Sequence, residues 1–313
     1  MTESSQVIDL MGTKIRLYFK GEQADRWLTE ATAMLRRYEQ VFSANSSQSQ
    51  LSALKTTATI EPVVVDGELY ELIKTGREHS LDPESFLNIA IGPLIKLWRI
   101  GFQEARVPGK DEISQVLGKL DPADILLDDD CQSVFFAKNG IEIDLGAIAK
   151  GYFSDKVMDF FKEKEPVSAM IDIGGNLLVY GDSPKQNPEW DVGIQNPFLP
   201  RGQCIASIKI RNQSVVTSGI YERCFEHNGH RYHHIFDRYS GYPVDNNVAS
   251  LTIIADKSLD CDIYTTKLFG LSPRRIVETV NRLEGMDAIV MTLDGQFATT
   301  TGIRNKITMA QSS

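Results

Sequence analysis

Asp262 and Thr266 are a pair of residues whose types and spacing could bind a metal ion. The segment 258–269 is predicted to be helical, and residues four apart share one face of a helix. A carboxylate and a hydroxyl are hard oxygen ligands, which suit Mg2+ better than Zn2+. The simpler alternative is that acidic residues in a first helical turn only complement the helix dipole.

A second candidate is the segment 143–151, in which Asp144 precedes Gly146 and Lys150 precedes Gly151. We expect a strand to deliver Asp144 to a glycine turn, after which a helix begins. Backbone N–H groups at a helix start favour anions, and Lys150 would add a positive charge, so the segment could hold a phosphate group. Alternatively, Asp144 simply caps the helix and Lys150 is solvated. The glycine spacing is not that of a Walker loop.

Two adjacent glycines, Gly174 and Gly175, follow a predicted buried strand and precede Asn176. Glycines allow another group to approach the backbone closely, which suits a flat ring or a phosphate. A sharp turn or bulge explains the same pattern without any ligand.

Four of the five histidines lie between residues 227 and 234. A two-residue turn at Asn228-Gly229 would set His227 opposite His230, while His233 and His234 would point to opposite faces. No single face then collects three zinc ligands easily. One histidine acting as a base in a pocket is the better hypothesis.

Composition narrows the class of protein further. The chain has 313 residues and a formal net charge of −9, and this acidic balance argues against nucleic acid as a partner. No run of about 18 apolar residues predicts a membrane span, and the N-terminal residues do not resemble a secretory signal. The four cysteines are scattered, so we expect reduced, mostly buried thiols and a cytoplasmic protein.

The predicted elements favour an α+β fold, with a largely antiparallel sheet packed against helices in a single domain spanning 1–313. Strands alternate over 5–19, and Trp27, Ala31, Leu35 and Tyr38 define a helix over 22–40. Hairpins are expected over 133–144 with its turn at Asn139-Gly140, at Asn228-Gly229, and at Asp294-Gly295. Further helices are predicted over 66–79, 93–98, 147–164, 258–269 and 272–283, and further strands over 167–180, 190–195, 204–210, 214–217 and 248–254.

These patterns, taken in order, resemble the ApbE family of FAD:protein FMN transferases over nearly the whole chain. The matching blocks are Met11-Gly12-Thr13, Phe42-Ser43, Ile91-Gly92-Pro93-Leu94, 144–151, Ile173-Gly174-Gly175-Asn176, 190–195, Thr217-Ser218-Gly219, His234-Ile235 with Asp237, Gly241-Tyr242-Pro243-Val244, and Asp262 with Thr266. Where many members have an aromatic residue that covers the flavin, this chain has the loop around Asn45.

The resemblance implies an ApbE-like, T-fold-like architecture and a specific activity. Family members use Mg2+ to transfer FMN from FAD to a Ser or Thr hydroxyl of a target protein, and AMP leaves. The acceptor protein typically contains a motif of the form D-G-x-S/T-G/S/A-T. An Mg2+-dependent FAD pyrophosphatase and a non-catalytic FAD carrier are the alternatives for this chain.

The resemblance also assigns site residues. It implies that Asp262, Thr266 and the carbonyl of Ala147 bind the metal, with Thr265 adjacent, and that His234 is the base. The residues that it implies for FAD binding are Met11, Phe86, Leu87, Asn88, Asp144, Lys150, Gly174, Gly175, Asn176 and Ile235.

Overall fold

The computed structural model of the protein describes residues 2–185 and 187–310. The helices are α1 (Ala24–Phe42), α2 (Gln50–Thr57), α3 (Gly67–Leu81), α4 (Gly92–Trp98), α5 (Lys110–Leu117), α6 (Ala149–Lys162), α7 (Ser258–Lys267) and α8 (Pro273–Val280). The strands are β1 (Thr2–Leu10), β2 (Thr13–Gly21), β3 (Val63–Val64), β4 (Ile125–Asp128), β5 (Ser133–Phe136), β6 (Ser168–Ile173), β7 (Asn176–Gly181), β8 (Trp190–Gln195), β9 (Cys204–Ile210), β10 (Ser214–Gly219), β11 (Cys224–His227), β12 (His230–His233), β13 (Val248–Ala255), β14 (Asp287–Thr292), β15 (Phe297–Thr299) and β16 (Ile307–Met309).

An eight-stranded sheet forms the centre of the fold, in the order β1-β2-β6-β7-β10-β13-β14-β15. Every neighbouring pair in it is antiparallel. This architecture confirms the predicted α+β class with a largely antiparallel sheet. The predicted domain limits, Met1 and the residues 311–313, lie outside the described residues.

Both faces of the large sheet are covered. On one face, α1, α3 and α6 pack against β2 and β6, and α7 and α8 pack against β13 and β14. On the other face lies a three-stranded sheet in the order β16-β9-β8, whose Ile194 and Ile208 join Val215 and Ile289 of the large sheet. All eight residues of β13 are buried, because this strand lies inside the sheet between β10 and β14.

Most predicted elements are present, and the glycine-containing turns join predicted strands into hairpins. The Met11-Gly12 turn joins β1 to β2, and both of its residues have positive φ, 53° and 70°. The Asn228-Gly229 turn likewise sets His227 opposite His230. In α1, Ala31, Leu35 and Tyr38 are buried as predicted, whereas Trp27 is half-buried.

The predicted hairpin over 133–144 is wrong, and so is the strand that was expected to deliver Asp144. Strand β5 pairs with β4 and β3, and no strand continues to Asp144. The segment after Gly140 instead bonds to the loop before α4, where the amide of Asp144 donates to the carbonyl of Ile89 at 2.8 Å. Burial of Ile141 and Ile143 against the helical core fixes this segment there.

The prediction of free thiols agrees with the structure, whereas the prediction that most of them are buried is wrong. All four thiols are free, but only Cys261 is buried, while Cys131 and Cys204 are exposed. Among the described residues, no helix combines the length and apolarity that crossing a bilayer requires.

Candidate active site

The start of α6 lies directly against the start of α7, because Gly151 has no side chain. A Cβ atom at Gly151 would lie 2.4 Å from the carbonyl oxygen of Ser258 and 2.7 Å from the Cα of Leu259. Both are backbone atoms that cannot rotate away. Glycine is disfavoured inside helices, so its presence in the first turn of α6 reflects this close approach.

Asp155 of α6 fixes the start of α7. Its two carboxylate oxygens accept hydrogen bonds from the amides of Ser258 and Leu259, at 2.8 and 2.9 Å. Burial raises the pKa of Asp155 to about 6, although the two amide donors oppose that shift. No local pattern predicts this contact, because it joins residues more than a hundred positions apart.

Asp262 lies on α7 at the junction of the two helices, and its side chain is buried. Its Oδ2 atom accepts a hydrogen bond from the amide of Gly151 at 2.6 Å. Burial raises the pKa of the Asp262 carboxyl, and the nearby positive charge of Lys150 acts against this shift. Asp262 is not in the first turn of its helix, so it does not simply complement the helix dipole, which was the simpler alternative.

The carbonyl of Ala147 accepts no hydrogen bond among residues 2–185 and 187–310. Ala147 precedes Ile148, the N-cap of α6, so its carbonyl lies outside the regular hydrogen bonds of the helix. The amide of Gly151, in the first turn of α6, donates to Asp262. Asp144 does not cap α6, since its Oδ1 accepts from Gly146 and the helix begins after Ile148.

The two threonines of α7 differ in what their hydroxyls do. Thr265 is buried, and its hydroxyl donates to the carbonyl of Asp262 at 2.9 Å. Thr266 is half-buried, and no hydrogen-bond partner for its hydroxyl occurs in the described part of the chain. Thr266 is therefore the hydroxyl that is available to a ligand.

This donor set fits a hard divalent cation. It offers one buried carboxylate, one uncompensated carbonyl and one available hydroxyl, all of them oxygen atoms. The described residues contain no group of three or more His, Cys, Asp or Glu side chains that could hold a metal. A site for a soft or tightly coordinated transition metal is therefore not formed by the described side chains, whereas Mg2+ keeps several waters and needs few protein ligands.

Asn176 connects this junction to the Gly174-Gly175 turn. Its Oδ1 atom accepts hydrogen bonds from Ser154 of α6 and Ser258 of α7, at 3.0 and 2.6 Å. Its amide nitrogen is buried with no hydrogen-bond partner among the described residues, and the Asn176 side chain lowers the pKa of Asp262 from nearby. Gly174 and Gly175 form a hairpin turn with φ of 61° and 98°, so the simpler interpretation of this pair as a turn is correct.

An open pocket of about 940 Å3 lies beside this turn. Met11, Gly12 and Thr13 of the first hairpin line it together with Gly174 and Gly175. The two turns touch closely, because a Cβ atom at Gly174 would lie 2.3 Å from the hydroxyl of Thr13. The pocket thus contains three of the residues predicted to bind the flavin nucleotide and adjoins a fourth, Asn176.

His234 follows β12 and lies within the electrostatic influence of Lys150 and Arg223. Its Nδ1 atom lies 3.3 Å from the carbonyl of Arg223, a contact that leaves Nε2 available as a base. Burial, together with the positive charges of Arg223 and Lys150, lowers the pKa of His234 to about 4. Burial raises the pKa of Asp144, and the positive charge of Arg223 acts against this shift. Arg223 therefore interacts with both His234 and Asp144.

The structure gives the remaining predicted residues structural contacts away from the junction of the two helix starts. The amide of Phe86 donates to the carbonyl of Lys267 at the end of α7. Leu87 and Ile235 are buried in the core. The Asn88 side chain donates to the carbonyl of Leu120 and accepts from the amide of Ala90. These residues could therefore contact a ligand mainly through their backbone or through the exposed part of Phe86.

Comparison with known proteins agrees with this arrangement. Residues 11–290 match the model of the ApbE family. The chain belongs to the ApbE family. It is 40% identical over 285 residues to the FAD:protein FMN transferase of Klebsiella pneumoniae (strain 342), which covers 90% of this chain and 87% of the relative. It is 35% identical over 321 residues to the protein of the same name from Treponema pallidum (strain Nichols), covering 97% and 89%.

A solved structure gives the same result for the fold. The ApbE protein of Thermotoga maritima matches with a TM-score of 0.86 at 28% sequence identity, and the match covers 96% of this chain and 98% of that chain. The predicted resemblance is therefore confirmed, as is the prediction that this ApbE-family chain is an enzyme of the transferase class.

Proposed function

We propose that the protein transfers FMN from FAD to a Ser or Thr hydroxyl of an acceptor protein, with the help of Mg2+, and releases AMP. The observation that supports this most directly is the buried Asp262 carboxylate at the junction of α6 and α7, together with the Ala147 carbonyl before α6, which accepts no hydrogen bond among the described residues. Curated relatives at 40% and 35% identity are named for the same transfer.

In this proposal Asp262, the Ala147 carbonyl and Thr266 hold Mg2+, and Thr265 supports Asp262 through its carbonyl. Bound Mg2+ would neutralise negative charge on the pyrophosphate of FAD, which otherwise repels a nucleophile. The buried Asp262 carboxylate has only partial compensation from its present partners, so a cation would stabilise its ionised form.

Lys150 stands beside Asp262 and has no carboxylate within ion-pair distance among the described residues. It is therefore available to contact a phosphate of FAD, where its charge would stabilise the transition state. Arg223, near Asp144 and His234, would add a second positive charge. We assign the flavin half to the pocket lined by Met11, Gly174 and Gly175. Asn176, Asp144, Ile235 and the segment 86–88 do not line that pocket, and we assign them to contacts with the rest of the dinucleotide.

His234 would accept the proton of the acceptor hydroxyl at Nε2 while the hydroxyl oxygen attacks the FMN-side phosphorus. The new bond joins that oxygen to phosphorus, and the bond to the bridging oxygen breaks, so AMP leaves with the electron pair. The lowered pKa keeps His234 neutral near pH 7, as a general base requires.

The acceptor is expected to contain a motif of the form D-G-x-S/T-G/S/A-T. The free state of all four thiols is consistent with a reducing compartment, so we expect the reaction to occur in the cytoplasm.

The test is incubation of the protein with FAD, Mg2+ and a peptide of that motif, with and without EDTA. The expected result is an increase in peptide mass equal to one FMN, equimolar release of AMP, and loss of both with EDTA. Free FMN without peptide modification would instead identify an FAD pyrophosphatase. Tight FAD binding with no product would identify a carrier, and either result would refute the transferase.

A further inference from the structure

The pocket beside the Gly174-Gly175 turn is rich in positive charge, although the chain has a formal net charge of −9. Its lining includes the cations Lys14, Arg16, Arg36 and Arg201 and the anions Asp9, Glu39 and Asp172.

Two of these cations are neutralised within the pocket. Lys14 pairs with Asp9 at 3.1 Å, and Arg16 pairs with Asp172 at 2.9 Å. The third carboxylate, that of Glu39, accepts the amide of Met11 at 2.8 Å. Each carboxylate of the pocket therefore has a hydrogen-bond partner, but the neutral amide of Met11 leaves the negative charge of Glu39 in place.

Arg36 and Arg201 are the cations left over. Neither has a carboxylate within 4.0 Å in the described part of the chain, and both are exposed. Arg201 is held over the glycine turn, since its Nη2 atom donates to the carbonyl of Gly174 at 3.3 Å. Together with Glu39, the two arginines leave the pocket with one positive charge in excess, and their exposed guanidinium groups suit an anionic partner.

Exposed apolar side chains share a loop with Arg201. Arg201 belongs to the loop 196–203 between β8 and β9, in which Phe198 and Leu199 are 52% and 48% exposed. Aromatic and arginine residues together are typical of the centre of protein interfaces.

We propose that Arg36, Arg201, Phe198 and Leu199 form an acceptor-docking surface that recognises a protein segment with acidic residues near its reactive hydroxyl. This inference rests on the proposed transfer activity and adds the surface and the charge of the acceptor. The surface ends at Gly175, and the next residue, Asn176, bonds to both helices of the candidate metal site. An acceptor docked there would lie next to the phosphates, and its apolar side chains would cover the loop.

Binding measurements test this surface independently of turnover. Fluorescent peptides of the form D-G-x-T-S-T, flanked by three Glu, three Gln or three Lys, would be titrated against the FAD-loaded full-length protein by anisotropy. We expect the wild type to bind the Glu-flanked peptide most tightly. Arg36→Gln/Arg201→Gln should weaken that binding by about tenfold and abolish the preference over Gln flanks. Arg36→Glu/Arg201→Glu should favour Lys flanks.

The matched control is Arg274→Gln/Arg275→Gln on α8, which removes the same charge elsewhere and should leave peptide affinity unchanged. Phe198→Ser/Leu199→Ser should weaken all three peptides alike. Equal binding of the Glu and Gln peptides by the wild type, or an equal loss in the α8 control, would overturn the proposal. So would a matching loss of FAD affinity in the Arg36/Arg201 variant, because the two arginines would then bind the dinucleotide. FMN transfer by the wild type, measured alongside, decides the proposed function separately.

Discussion

The amide of Gly151 donates its hydrogen to the carboxylate of Asp262 at 2.6 Å, across the junction of α6 and α7. This contact holds the Asp262 side chain against the first turn of α6. Ala147, just before that turn, has a carbonyl that accepts no hydrogen bond in the described part of the chain. The three oxygen donors proposed for Mg2+ thus depend on the close packing of two helix starts.

Gly151→Ala tests this dependence. The added methyl group would meet the backbone of Ser258 and Leu259, so the helices must separate, and we expect a loss of about 1–3 kcal/mol in the free energy of unfolding. The stabilisation of the protein by Mg2+ should also shrink, because the donors move apart. Urea unfolding with and without Mg2+ measures both effects.

Gly118→Ala is the control for that variant. Gly118 ends α5 with φ of −67°, and a Cβ atom there meets nothing within 4 Å. Stability should stay the same or rise by up to about 1 kcal/mol. If Gly151→Ala behaved like Gly118→Ala, the close approach of the two helices would not matter.

Asp262→Asn should abolish Mg2+-dependent transfer, with a fall in rate of about 100-fold or more, because the only carboxylate of the proposed site loses its charge. Stability without Mg2+ should not fall, since a buried carboxyl with a raised pKa is replaced by a neutral amide of similar shape. The transfer rate and the melting temperature against Mg2+ concentration measure this. Asp260→Asn, two residues earlier in α7, should keep the response to Mg2+. The same loss in both variants would contradict the assignment.

Local sequence patterns predicted most of the fold, because a turn or a helix depends mainly on residues that are close together in the sequence. Positive φ at the Met11-Gly12, Asn228-Gly229 and Asp294-Gly295 turns needs glycine or asparagine at most positions, so the hairpins could be located. Residues Asn139-Gly140 do form the predicted turn, but the presence of a turn does not determine which strands pair with each other. Strand β5 found its partners in β4 and β3 instead.

The site was predictable only in part for a similar reason. Asp262 and Thr266 could be placed on one helix from their spacing. The contacts of Asp155 with Ser258 and of Gly151 with Asp262 join segments more than a hundred residues apart, and no periodicity encodes them. Arg223 is an exposed arginine with no motif around it, so only the structure relates it to His234.

The two neighbouring threonines of α7 should have separable roles. Thr266→Val should raise the Mg2+ concentration needed for half-maximal transfer by about tenfold, because an available ligand hydroxyl is lost. Thr265→Val should instead lower stability by about 1 kcal/mol, since it removes the hydrogen bond to the Asp262 carbonyl from a buried position. Mg2+ titration of transfer, together with thermal unfolding, distinguishes them. The reverse pattern would make Thr265 the ligand.

His234→Ala should reduce FMN transfer by about 10²–10⁴-fold while the affinity for FAD stays close to that of the wild type. A positioned base contributes to the transition state and not to ground-state binding of the dinucleotide. Transfer to the motif peptide and FAD binding by fluorescence are the two measurements. His227→Ala, exposed in the same hairpin, is the control, and near-normal transfer by His234→Ala would remove His234 from the mechanism.

The lowered pKa of His234 also predicts how stability depends on pH. Its pKa is about 4 in the folded protein, against an ordinary value of 6.5, so the unfolded chain binds more protons between these values. The contribution of neutral His234 to the free energy of unfolding is complete above pH 6.5 and is lost as pH falls towards 4. Between pH 7 and 5, without metal or FAD, the wild type should therefore lose about 1 kcal/mol more than His234→Gln, after allowance for partial exposure. Urea unfolding at the two pH values gives this difference directly, with His227→Gln as the matched variant. Equal losses in the wild type and His234→Gln would show that burial does not hold His234 neutral, and the base proposed for the transfer would then be protonated at pH 5.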